Sequence, residues 1–118
     1  MRVRSSAIET INGPHLLTLA AQFKSPAAGY LVMQVKTDTE LQPDFFGAGH
    51  YVEISDQSAG RYGGIQRLSV STDLQSLDIE LDFDAPNVGR HLTLDFDEPI
   101  KGDPLRWLRT LQSSIGEP

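Results

Sequence analysis

Carboxylate side chains recur at every second position in two segments of this chain. Residues 77–84 alternate Leu, Ile or Phe with Asp or Glu, and residues 92–97 repeat the alternation. Because successive side chains of a β-strand point to opposite sides of a sheet, the acids should share a solvated face while the apolar residues enter a core. We call these six carboxylates the acidic ladder: Asp78, Glu80, Asp82, Asp84, Asp95 and Asp97. Their chemistry is the electrostatic binding of a cationic partner.

The charge along this part of the sequence is strongly negative. The whole chain carries −6, and between Asp73 and Asp103 nine acids stand against Arg90 and Lys101, which makes −7 for that stretch. Such a field repels nucleic acid and anionic membranes and attracts a basic protein. Solubility alone explains a polar sheet face about equally well. Like charges that face each other on adjacent strands cost up to about 1 kcal/mol per pair, and this cost favours a binding role.

A second candidate site is the polar, glycine-rich loop at 56–64. Its glycines allow positive φ angles or a close backbone approach, and its amides could surround an anion. The spacing is not that of a phosphate loop, and a strand follows it where a phosphate loop needs a helix. We therefore favour a tight turn in which the paired glycines let the chain double back. Together with two residues of the preceding predicted strand, this segment forms what we call the motif loop. Its residues are Tyr51, Glu53, Asp56, Tyr62, Gly63 and Gly64.

Other catalytic or metal-binding patterns are weak. His15, His50 and His91 lack metal-ligand spacing, the chain has no cysteine, and no Gly-x-Ser-x-Gly elbow supports a nucleophile. We expect no metal, no cofactor and no enzymatic activity. Phe45 and Phe46 are expected to form a lid over the end of the core, although an exposed anchor for a partner is the alternative.

The elements that would position these residues are mostly strands. Asn12-Gly13 predicts a type I′ hairpin between strands at 3–11 and 16–23. Further strands are predicted at 30–36, 50–55 and 65–71, the last with a bulge or a late start. The short turns around the two acidic segments predict an antiparallel meander of the last three strands.

The C-terminal segment predicts a helix that opens at Asp103-Pro104. Its apolar stripe should lie against the sheet, and it consists of Trp107, Leu108, Leu111 and Ile115. The predicted fold class is α+β: one domain over residues 1–118, with a single antiparallel sheet of about six or seven strands and the helix on one face. No stretch resembles a secretory signal or is long and apolar enough to cross a bilayer, so we expect a cytoplasmic protein.

The order of the motifs resembles that of the immunity protein ten family. The most specific part is Tyr51-Val52-Glu53 followed by Tyr62-Gly63-Gly64-Ile65, and the acidic hairpin and the helix extend the likeness over residues 30–115. The resemblance implies a small α+β protein of a bacterial polymorphic toxin system. Such a protein binds and neutralises a cognate toxin domain in the cytoplasm, and the resemblance brings no catalytic residues with it.

Three functional hypotheses follow from the sequence. The first is an immunity-type inhibitor that occludes a basic toxin domain with the acidic ladder. The second is a small-ligand-binding or enzymatic domain that uses the loop from Asp56 to Gly64 with Tyr51 and His50. The third is a homo-oligomer in which strands pair across a two-fold axis. A deep apolar pocket beside the loop would favour the second, and a pocket-free acidic surface would favour the first.

Overall fold

The computed structural model describes residues 1–13, 16–36 and 50–115. Within these ranges the chain forms nine strands and one α-helix, so the predicted α+β class is confirmed. A short 3-10 helix at Gln57–Ala59 lies between the fifth and sixth strands. The elements are β1 (Arg2–Ser5), β2 (Glu9–Asn12), β3 (Leu16–Ser25), β4 (Gly29–Lys36), β5 (His50–Ile54), β6 (Arg61–Tyr62), β7 (Ile65–Val70), β8 (Ser76–Ala85), β9 (Gly89–Phe96) and α1 (Gly102–Ile115).

The strands form one mixed sheet in the order β6-β5-β4-β3-β1-β9-β8-β7, with β2 beside β3. The predicted hairpin is present as β2 and β3, and the predicted meander is present as β7, β8 and β9. The sheet is mixed, not purely antiparallel, because β1 pairs with β9 in parallel. The predicted first strand is interrupted at residues 6–8, and this break lets β1 join the N-terminal hairpin to the meander.

The two ends of this sheet meet at the paired glycines. β6 and β7 occupy opposite ends of the strand order, yet only Gly63 and Gly64 separate them along the chain. The Gly63 amide donates to the His50 carbonyl at 2.8 Å, and the Asp82 amide donates to the Gly64 carbonyl at 3.0 Å. The Ile65 amide donates to His50 Nε2 at 3.1 Å. The sheet therefore curls until β5 and β8 are bridged through this corner.

The inner face of the curled sheet and one side of α1 enclose the core. Leu108 and Leu111 of the helix are fully buried, while Trp107 and Ile115 are partly buried against the same cluster. The predicted helical stripe is therefore confirmed. The helix lies against β7 and β2, and it begins at Gly102, one residue before the predicted start.

Candidate partner-binding face

Five carboxylates of the acidic ladder lie on the outer face of β8 and β9, and Asp97 follows the last residue of β9. These strands are adjacent and antiparallel, and Leu77 and Ile79 are buried on the inner face. Glu80 pairs with His91, and Asp95 lies four residues after His91 on β9. Because side chains an even number of residues apart point to the same side of a strand, Glu80 and Asp95 project from the same face. The prediction that the two acidic segments share one face is confirmed.

The register places no acid opposite another acid among the paired positions described. Asp78 faces Thr93, and Asp95 faces Ser76. The hydroxyl of Thr93 donates to Asp78, and that of Ser76 donates to Asp95 Oδ1 at 2.7 Å. The expectation of repulsion between directly opposed carboxylates is therefore wrong, and it gives no support to a binding role.

Cations from β1 and β3 reach the β9 end of the ladder. Arg2 Nε lies 2.6 Å from Asp95 Oδ2, and its second nitrogen donates to Asp95 Oδ1 at 2.8 Å. Asp97 accepts from Arg4 and lies 3.5 Å from Lys24 Nζ. The hydrogen bond from Arg2 is the main reason that the pKa of Asp95 lies below its usual range.

Two carboxylates on β8 also form ion pairs with arginines. Arg67 lies 3.7 Å from Glu80, and Arg90 lies 3.4 Å from Asp84.

His91 Nε2 lies 3.1 Å from Asp78 Oδ1. Among the residues described, Asp78 and Asp82 are the two ladder carboxylates without an arginine or lysine partner. Five arginine and lysine side chains thus accompany the six carboxylates, which leaves about one net negative charge near neutral pH. The ladder is an ordered array of ion pairs, much less anionic than its sequence segment.

The motif loop centres on Glu53. Tyr51 Oη donates to Glu53 Oε1 at 2.8 Å, and the Tyr30 hydroxyl donates to Oε2. The ring of exposed Tyr62 lies 5.1 Å from that of Tyr51. Sequence reasoning missed Tyr30, because it reaches Glu53 only through the pairing of β4 with β5 and no sequence spacing marks that contact.

The remaining motif residues build the turn. Asp56 caps the 3-10 helix, accepting from the Ser58 amide at 3.0 Å, and Gly63 has a φ of 73°. A Cβ atom on Gly60 would lie 1.9 Å from Tyr51 Oη, so a glycine is needed there for Tyr51 to reach Glu53. These contacts support the interpretation of the loop as a tight, structural turn.

Both tyrosines at Glu53 should titrate late. Hydrogen bonding to Glu53 raises the pKa of Tyr30 to about 12, and burial followed by the same interaction raises the pKa of Tyr51 to about 12. Because an unfolded tyrosine ionises near pH 10, the folded state holds these protons more strongly, and its stability should fall as pH rises from about 10 to about 12. Alkaline titration of tyrosinate absorbance measures this. A Glu53→Gln variant should move both ionisations to lower pH, and an unchanged profile would contradict the assignment.

The histidines and cavities give no second site at the predicted positions. In the ranges that the structure covers, no three His, Asp or Glu side chains are placed to hold a metal ion. His50 is buried and accepts through Nε2, whereas His15, Phe45 and Phe46 lie outside the described residues. Three cavities of about 510, 520 and 250 Å³ are formed by described residues, and none of the three is lined by the loop at 56–64.

Comparison with known proteins found no match to a family model, a curated protein or a solved structure. The described part of the chain has no helix that is long and apolar enough to cross a membrane. The resemblance to immunity protein ten therefore rests on the motif residues themselves.

Proposed function

We propose that this protein is an immunity-type inhibitor that binds a basic toxin domain and neutralises it by occlusion in the cytoplasm. The observation that carries the proposal is the placement of the acidic ladder. Its carboxylates stand on the sheet face opposite to the core and to α1, so a partner can reach them. The motif resemblance gives the partner its class.

The ion pairs of the ladder define how it would bind. Arg2 fixes Asp95, and hydroxyls from Thr93 and Ser76 orient their carboxylates, so the acceptors are held in place before a partner arrives. A carboxylate can accept several hydrogen bonds, and a partner arginine can share one that is already paired. Since the net charge of the array is small, we expect it to contribute mainly to specificity and to the lifetime of the complex, with modest electrostatic acceleration of association.

A double charge reversal, Glu80→Lys with Asp82→Lys, tests the surface. We expect at least about tenfold weaker binding to the cognate toxin domain, and loss of protection in cells that express it, because two acceptors become repulsive. Glu98→Lys with Asp103→Lys is the matched control, since it changes the net charge equally at two residues that do not belong to the ladder. Calorimetry and the protection assay give the readouts. Full protection by the ladder variant, if it is folded, would show that the toxin docks elsewhere.

A further inference from the structure

A second part of the outer face carries two carboxylates without a cation partner among the described residues. Direct strand pairing aligns Glu9 of β2, Ala20 of β3, Val32 of β4 and Glu53 of β5 in one row across the sheet. Neither glutamate has an ion pair within the described ranges, whereas four of the six ladder acids pair with an arginine or a lysine. At normal strand spacing the two glutamates stand about 14 Å apart.

A groove of about 520 Å³ lies in this row. Ala20 and Val32 form an apolar floor, with Glu9, Gln22 and Tyr30 around it. Glu53 does not line the groove itself, but it is the cross-strand partner of Val32 and accepts a hydrogen bond from Tyr30, and both of these residues line it.

The carboxylate of Glu53 is oriented so that it can accept a cation. The hydroxyls of Tyr30 and Tyr51 orient its two oxygens, and each carboxylate oxygen can accept a further hydrogen bond. Because Tyr30 both lines the groove and bonds to Glu53, a guanidinium at Glu53 would lie next to an aromatic ring. Its aliphatic stem would cover Val32 and Ala20, as long basic side chains commonly do on apolar surfaces.

We propose that this groove receives an arginine side chain of the partner protein, with its guanidinium on Glu53 and its stem on Ala20 and Val32. Arginine fits better than lysine because its planar head can share a carboxylate through two bonds and stack on tyrosine. The inference rests on the proposed function for the identity of the partner, and on the groove alone for the chemistry that it recognises.

The direct test is an amide chemical-shift titration of the full chain with the capped peptide acetyl-Gly-Arg-Gly-amide and with its citrulline counterpart, which has the same shape without the charge. We expect shifts centred on Ala20, Tyr30, Val32 and Glu53, with citrulline binding at least about tenfold more weakly. Equal binding of the two peptides, or shifts centred on the acidic ladder, would overturn the proposal. A lysine peptide that binds as tightly would overturn the assignment to arginine.

Two substitutions test whether the residues of the groove bind the arginine peptide. Glu53→Gln should weaken arginine binding at least about tenfold, and Ala20→Leu should block the floor without touching Glu53. Glu80→Gln is the matched control on the ladder and should leave peptide binding unchanged. Unchanged affinity in both groove variants contradicts the proposal.

The toxin assay distinguishes the two proposals. If Glu53→Gln protects cells fully while the ladder reversal does not, the groove is not an arginine site for the toxin, and the proposed function is retained. If the native protein gives no protection while the groove still prefers arginine over citrulline, the toxin assignment is wrong, and the groove is retained as an arginine-binding site.

Discussion

Replacing Leu111 by alanine is expected to lower the free energy of unfolding by about 2 to 5 kcal/mol. The side chain of Leu111 is fully buried where α1 packs on the inner face of the sheet. The substitution therefore loses the transfer free energy of the side chain and leaves a cavity. Denaturant unfolding followed by circular dichroism measures the change.

Arg109→Ala is the control for this prediction, because it changes an exposed residue of the same helix. Its effect should remain within about 0.5 kcal/mol, since alanine is also a good helix former. If Leu111→Ala also costs less than about 0.5 kcal/mol, the helix contributes little to the core and does not enclose it.

Local pattern predicted most of the strands, the helix and the shared face of the ladder. Alternation along residues 77–84 fixes which side chains point inward, because the period of a strand is two wherever the sheet has one buried face. Of the two alternatives expected near Ile65, the bulge is present and the late start is not, since β7 begins at Ile65 and its pairing with β8 shifts between Ile65 and Arg67. The interruption at residues 6–8 and the parallel pairing of β1 could not be read from a periodicity that spans neighbouring residues.

The charge of the ladder shows where sequence-local reasoning failed. The sum of −7 counts only cations close along the chain, whereas Arg2 lies 93 positions from the Asp95 carboxylate that it pairs with. Strand order decides which charges meet, and a local pattern does not reveal that order. The contacts of the motif loop are also set by the strand order and not by a local pattern. Tyr30 bonds to Glu53, and Gly64 lies beside Phe83, only because the sheet curls and closes on itself.

Substituting Gly64 by alanine is expected to cost about 1 to 3 kcal/mol by overpacking the corner where the sheet closes. A Cβ atom there would lie 2.6 Å from Phe83 Cε1, 2.8 Å from Arg61 Cβ and 3.0 Å from Val52 Cγ1. Two of these neighbours are short or aromatic side chains fixed by packing, so relief requires that β6 and β8 move apart. That movement should also weaken the hydrogen bond from the Asp82 amide to the Gly64 carbonyl.

Gly89→Ala provides the comparison for this prediction. Gly89 has a φ of 86°, but a Cβ atom added there would have no neighbour within 4 Å, so the substitution should cost only the conformational term of about 1 kcal/mol. Denaturant unfolding compares the two free energies, and hydrogen exchange reports the corner itself. Gly64→Ala should speed exchange of the Asp82 and Ile65 amides, whereas Gly89→Ala should leave both protected. Equal protection in the two variants would mean that the glycine corner does not hold the ends of the sheet together.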